Sequence, residues 1–295
     1  MRHIPIYTIP LLFSSCFPMG DEQDAGDHNA TFSVASIRSI PIDEAHDTCD
    51  APITRATVPL RDAATRLAWA IYTDDGTRIL SQNQLNTDEA FGTLSTSLPV
   101  GDYGLLCLAH SGTGNPTTTN LEKVTMPSNK GTDTFTTYSE FSIEEGQHTD
   151  IDLQLSRCVA MLRLVTNTPP SDVDHVQLYY TGGSSTLDGR TSLGCVNSRQ
   201  TEERTVTEST VGDHAQFDAY TFPHSLSEER IKLTVTAYTQ DGLLTHERVF
   251  PDLPVRTGYC TVITAPEFFT ATELLQFDVN VLQVDTTWQY IHVDL

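Results

Sequence analysis

Apolar and polar residues alternate with a period of two over most of the chain beyond residue 50. The segment Ile231-Lys232-Leu233-Thr234-Val235-Thr236-Ala237 alternates strictly, which sets one face of a strand in a core and the other in water. Ile151-Asp152-Leu153-Gln154-Leu155 does the same and runs on to Val165, where both parities are apolar except at Arg157 and Arg163. Fifteen residues exceed an ordinary strand. The run therefore reads as two strands meeting near Ser156, where one domain hands over to the next. Further strands are expected at 67–73, 103–110, 135–143, 173–180, 246–250, 258–265, 276–284 and 287–295. Turn chemistry separates them at Asp75-Gly76, Gly101-Asp102, 111–116 (SGTGNP), Asn129-Lys130-Gly131, Glu145-Gly146, Pro169-Pro170, Gly182-Gly183 and Asp241-Gly242. Only 81–93 (SQNQLNTDEAFGT) leaves room for a turn or two of helix.

Strands at this spacing with scarcely a helical period predict an all-β chain built as two tandem sandwiches of antiparallel sheets. Their expected bounds are 51–155 and 156–295. A faint echo links the halves: IYTDDG at 71–76 against AYTQDG at 237–242, and LPVGDYGLLCL at 98–108 against LPVRTGYCTVI at 253–263. Two related sandwiches would produce it, as would chance, because Asp-Gly is a common hairpin turn.

The first residues follow a different rule. Arg2 and His3 precede an apolar stretch from Ile4 to Phe13, then Ser14-Ser15-Cys16. A basic end, an apolar run and small residues before a cysteine describe a secretory leader over 1–15. The cysteine placement is similar to a bacterial lipobox, with Cys16 as the lipidated residue of the mature chain. Phe13 stands where leucine is usual, and Pro5 and Pro10 interrupt the stretch. One acyl chain holds a protein only marginally at about 0.8 kcal/mol per buried methylene, whereas two or three on one residue anchor it durably. Residues 16–50 then read as an acidic tether, since FPMGDEQDAGDHNA offers almost no large apolar group to offset its ordering entropy.

Composition narrows the partners. The 295 residues carry 17 Lys and Arg against 39 Asp and Glu, a net charge of −22. Such a surface repels phosphate backbones, so no nucleic-acid partner is expected, and polybasic membrane contacts are excluded. No run reaches 18 apolar residues. Of six cysteines, Cys16 is assigned to lipid, leaving Cys49, Cys107, Cys158, Cys195 and Cys260. Cys107 and Cys158 lie in apolar strand-like runs and read as buried hydrophobes. One disulfide fits among the five, but spacing does not choose the pair, and no CxxC suggests a zinc or redox site.

Catalytic chemistry finds little support. The chain has no GxSxG, HExxH, Walker loop or GxGxxG after a strand. His46 beside Asp43, Glu44 and Asp47, and His246 beside Glu247, offer metal-type donors but read better as solvated loop residues. Asp172 with Asp174, and Asp74 with Asp75, read as turn acids rather than calcium ligands. A glycosidase carboxylate pair is defined by distance in space, so sequence selects none. Trp69 lies in an apolar run and reads as core, while Trp288 could stack on a sugar. No enzyme activity, cofactor or metal is expected.

Several segments together resemble the FimB-type fimbrial anchor and fimbrillin families of Bacteroides-like bacteria. These are the lipobox-like leader, LAWAIYTDDGTRI, LPVGDYGLLCLAHSG, LSRCVAMLRLV and VRTGYCTVITAPEFF. Within them, Pro99, Gly101 and Tyr103 lead into an apolar strand from Leu105 to His110. Leu155, Arg157, Val159 and Ala160 match the opening of the family's second domain, and Thr261, Val262 and Phe268 a late strand. The resemblance implies two transthyretin-like β-sandwiches carried to the outer membrane on lipid. It further implies a surface-exposed fimbrial (pilus) subunit in cell adhesion, anchor or accessory, joined to other fimbrial subunits by strand exchange. Edge pairing would supply the affinity of that exchange and alternate side chains its specificity. At the C-terminus, Phe277, Val279 and Val281 and then Ile291, Val293 and Leu295 alternate with polar residues, which suits a donor strand or an internal edge strand. In polymerising relatives an arginine-specific protease removes the N-terminal segment, and Arg38, Arg55 and Arg61 are the arginines in the corresponding region. A surface adhesin or glycan-binding lipoprotein outside a pilus, with host or bacterial surface ligands, is the alternative; a secreted hydrolase ranks behind both.

Overall fold

The alternating segments form strands, and the computed structural model describes residues 28–38, 57–270 and 288–293. In the N-terminal part these are β1 (Ala30–Arg38), β2 (Thr57–Pro59), β3 (Arg66–Thr73), β4 (Arg78–Leu85), β5 (Thr93–Thr96), β6 (Gly101–His110), β7 (Val124–Thr125), β8 (Thr134–Ile143) and β9 (Thr149–Arg157). Eight of them form one sheet: seven follow the order β2-β1-β9-β8-β6-β3-β4, and β5 pairs with β1 off that path. β8 and β9 share only the pairs Phe135↔Arg157 and Thr136↔Ser156. Past that corner the two halves face each other. Phe32, Val34 and Ile37 of β1 and Leu153 and Leu155 of β9 share one core with Leu67, Trp69 and Ile71 of β3 and Leu105 and Cys107 of β6.

The C-terminal part holds β10 (Ala160–Asn167), β11 (His175–Gly183), β12 (Thr186–Asp188), β13 (Leu193–Gly194), β14 (Ser198–Thr205), β15 (Thr210–Val211), β16 (His214–Thr221), β17 (Glu229–Tyr238), β18 (Leu244–Val255), β19 (Tyr259–Thr264) and β20 (Gln289–His292). A five-stranded sheet, β15-β16-β10-β19-β20, covers a four-stranded one, β14-β11-β17-β18. Between them lies a second core, with Leu162, Leu164 and Phe217 from one sheet and Leu178, Val235 and Phe250 from the other. Most pairings are antiparallel as expected. Three are parallel instead: β1 with β9, β10 with β19 and β19 with β20. A parallel partner needs a long crossover, and the whole four-stranded sheet lies in sequence between β10 and β19.

A third cluster explains why β3 and β6 are apolar on both parities. Ala70, Tyr72, Leu106 and Leu108 point away from the first core and pack on Val159, Met161, Phe222 and Cys260. A strand buried on both faces reads as a continuous apolar run rather than an alternating one. β7 reaches across and pairs with β12.

Two expectations change, and a third is refined. Residues 30–38, assigned to the tether, form β1, because Phe32, Val34 and Ile37 bury against the first core. The 81–93 stretch is the end of β4 followed by turns, with no helix. Gln84 holds those turns: its Oε1 accepts from Trp69 Nε1 and from the Gly92 amide, each at 3.1 Å, and its Nε2 donates to the Thr93 carbonyl at 2.6 Å. The break near Ser156 falls at Cys158–Val159, where the Cys158 amide bonds Thr134 and the Val159 carbonyl accepts from Gly258.

Candidate assembly surfaces and the C-terminal clasp

A β-rich subunit that joins others does so through sheet edges, whose unpaired amides and carbonyls are templates for another strand. Two of the edges here are blunted. β18 carries Pro251 and Pro254, which withhold amide donors, and β14 carries Arg199, Glu202, Glu203 and Arg204. The five-stranded sheet ends on one side in β15, two residues long, and on the other in β20, four residues long and matched to β19 from Tyr259↔Gln289 to Val262↔His292.

The residue just before β20 fastens it. Trp288 is 6% exposed, and the guanidinium carbon of Arg157 lies 3.7 Å from its ring centre. On its other contacts Arg157 sits 4.7 Å from the Phe135 ring centre and makes two bonds to Asp133, Nε at 2.7 Å and Nη2 at 2.8 Å. A charge this buried is tolerable only when paired and hydrogen-bonded, which is why an arginine interrupts the apolar run after Leu155. Arg163 is explained likewise by its two 2.8 Å bonds to Asp218. Tyr220 from β16 closes the cluster at 6.3 Å from Trp288. Trp288 is thus a packing residue over arginine, not an exposed platform for sugar.

The other site residues read from sequence fall out as follows. Cys16, Cys49, Arg55 and His46 lie outside the described residues. Arg38 ends β1, in register with Thr57 on one side and Ser156 on the other. Arg61 bonds the carbonyls of Asn86, Asp88 and Glu89 and lies 5.3 Å from the Phe91 ring centre. Cys107, Cys158 and Cys260 are buried and Cys195 is exposed. His246 is a β18 residue against Phe269, ring centres 5.5 Å apart, rather than a solvated loop residue.

Sequence offered no hint of a cavity of about 430 Å³ where β3, β6 and β8 meet the β12–β13 loop. Asp74, Asp102, Tyr138, Glu140, Ser142 and Arg190 line it. Tyr138 accepts a 2.9 Å bond from Arg190, whose guanidinium also lies over the ring at 5.0 Å and reaches Glu140 at 3.6 Å. Burial pushes the Tyr138 hydroxyl's pKa up, with Arg190 pulling the other way.

This architecture has relatives. A profile of fimbrillin-A-associated anchor proteins, Mfa1 and Mfa2, matches residues 58–266. The chain belongs to the Mfa2 family. Among solved structures, a candidate cell-adhesion protein of Bacteroides fragilis is 12% identical, with a TM-score of 0.47 over 90% of this chain and 99% of that one. A fimbrial assembly protein of Parabacteroides distasonis is 13% identical, with a TM-score of 0.44 over 82% and 92%. The fimbrial anchor protein Mfa2 of Porphyromonas gingivalis is 10% identical, with a TM-score of 0.39 over 74% and 81%. No curated protein matches the chain. Membership in the Mfa2 family agrees with the resemblance read from the strand motifs and places the chain among fimbrial accessory proteins.

Proposed function

We propose that this Mfa2-family chain is the lipid-anchored subunit of a fimbria, held in the outer membrane through Cys16 and joined to its neighbours by strand exchange. The match to fimbrial anchor proteins over residues 58–266 carries the reading. Two features support retention of the N-terminal segment. Arg38 is paired on both sides within its sheet, and the Arg61 guanidinium is committed to three carbonyls. A protease needs its arginine in an accessible, extended segment, so both are poor substrates in the folded chain. A short parallel strand at the edge of a five-stranded sheet supports β19–β20 as the exchange edge.

The test is membrane fractionation of wild type and Cys16→Ala, with sequencing of the mature N-terminus. Wild type is expected with the outer membrane and the variant without it, both uncut beyond the leader. A Cys16→Ala protein that still sediments with outer membrane would overturn the lipid anchor. An N-terminus beginning after Arg38, Arg55 or Arg61 would make the chain a shaft or tip subunit instead.

A second reading, a glycan-binding adhesin, is favoured by the 430 Å³ cavity, where carboxylates and a tyrosine ring together suit a polyhydroxylated ligand. Binding to an immobilised glycan panel that is lost in Tyr138→Ala would establish it.

A further inference from the structure

The four-stranded sheet turns one face to the second core and the other outward. Val176, Leu178 and Tyr180 of β11 point into that core, so Gln177, Tyr179 and Thr181 lie on the outer face. Strand register arranges that face in rows. Thr181 stands between Arg199 of β14 and Lys232 of β17. Tyr179 stands between Thr201 and Thr234, and Thr234 is opposite Val249 of β18, which is 45% exposed. Gln177 stands between Glu203 and Thr236, and Thr236 is opposite Glu247. Arg199, Lys232, Glu203 and Glu247 are all exposed. One row is thus cationic, the next uncharged and the third acidic, with successive rows about 7 Å apart. Arg199 and Lys232 are two of 17 cations on a chain of net charge −22. Among the described residues, neither is in an ion pair. Gln177 Nε2 donates to Glu203 Oε1 at 3.3 Å and holds that carboxylate over the face.

A face graded from positive to negative across a neutral row is complementary to its own inverted copy. We propose that this face packs on the same face of a second copy of the chain, about a two-fold axis along the Tyr179 row. That axis lays the cationic row of each copy over the acidic row of the other. Arg199 then meets Glu203 of the second copy, and Lys232 lies over its Thr236 beside Glu247. A two-fold along the strands would set each row over itself, cation on cation and acid on acid, so charge fixes the orientation. Stacked sheets lie about 10 Å apart with their strands nearly aligned, a gap that an arginine and a glutamate span together. Tyr179 and Val249 occupy the centre, where interfaces favour aromatic and apolar groups. The four strands are 8 to 12 residues long. They cover roughly 500 Å² per copy and about 1,000 Å² in all, the low end for a specific interface. The net charge does not forbid the contact, because charges beyond about 8 Å are screened at physiological salt and touching pairs much less.

The test is sedimentation equilibrium of the full chain carrying Cys16→Ser, so that no lipid brings copies together. A monomer–dimer equilibrium is expected. Arg199→Glu and Glu203→Arg should each weaken it by about tenfold or more, since each sets like charges face to face twice per dimer. Combining the two substitutions restores opposite charges and should return the dimer to within about threefold of the parent. Both positions are exposed, and recovery in the combined variant separates a broken contact from a damaged fold. A chain that stays monomeric, single reversals that change nothing, or a combined variant no tighter than the single ones would overturn the proposal.

Discussion

The guanidinium of Arg157 lies between two aromatic rings, 4.7 Å from the centre of Phe135 and 3.7 Å from that of Trp288. Phe135 and Arg157 face each other across the β8–β9 corner, while Trp288 comes from the other end of the chain. The stack therefore ties the C-terminal strand to the hinge between the two parts. Trp288→Ala should destabilise the protein by about 3 kcal/mol, the low end for a buried tryptophan because the short strand can let go. Urea unfolding measures the loss, and amide exchange at Tyr259–Thr264 should rise before global unfolding. Unchanged exchange there would mean that Trp288 does not hold β20.

Removing the charge partner should hurt more than removing the ring. Asp133→Asn leaves a cation with 3% side-chain exposure without its carboxylate, and breaking a buried pair costs roughly 3–5 kcal/mol. The comparison is Asp218→Asn, whose Arg163 partner is 19% exposed and so better solvated. Equal losses in the two variants by urea unfolding would contradict the burial argument.

Gly104 has a steric purpose that its neighbour reveals. A Cβ there would come within 2.1 Å of the Tyr138 hydroxyl oxygen and 2.8 Å of its ring. Gly104→Ala should displace Tyr138, break its bond from Arg190, and cost about 1–3 kcal/mol. In a Tyr138→Ala background the same change should cost almost nothing, a coupling that a double-mutant cycle reads directly. Additive losses would place the glycine's importance elsewhere.

Much of this fold was legible along the chain, and the reasons differ by element. β3 and β6 declared themselves because apolar runs bounded by Asp-Gly and Gly-Asp turns have few alternatives. Arg157 and Arg163 were visible as exceptions, but Asp133 and Asp218 were not, since each ion pair forms only once distant strands are in register. β1 was hidden behind the acidic stretch before it, and its parallel partner β9 lies more than a hundred residues away. The echo between halves is real at one point. Thr73 and Thr239 each bond the residue four ahead, and Gly76 and Gly242, both at positive φ, bond back to them. It fails at the other, because β6 pairs antiparallel to β3 while β19 pairs parallel to β10. The cavity had no sequence signal, being made by strands and a loop that tertiary packing brings together.

Thiol chemistry separates the described cysteines. Burial pushes Cys107 and Cys158 well above the ordinary thiol range, which disfavours the reactive thiolate. Cys195 is exposed, and burial followed by Asp188 raises its pKa as well. In a Cys16→Ser, Cys49→Ser background, iodoacetamide at pH 8.5 should label one thiol slowly in the native state and four in urea. Mass spectrometry should place the native label on Cys195. Labelling of Cys107, Cys158 or Cys260 at a similar native rate would mean that those cores open readily.

His110 makes stability depend on pH below neutrality. Burial foremost, with the nearby Arg66 charge, lowers its pKa from 6.5 to about 4, against a smaller pull from the Gly114 carbonyl. The folded chain thus keeps this ring neutral where the unfolded chain has already bound a proton. Stability present above pH 6.5 is lost as pH falls through the window between 6.5 and about 4, and the whole gap is worth roughly 3 kcal/mol. Carboxylates titrate near the lower end, so the informative quantity is the difference from His110→Gln, which stays neutral throughout. Wild type should lose more stability than that variant between pH 7 and 4.5 in urea unfolding. Parallel slopes for the two proteins would show that the ring protonates as easily folded as unfolded.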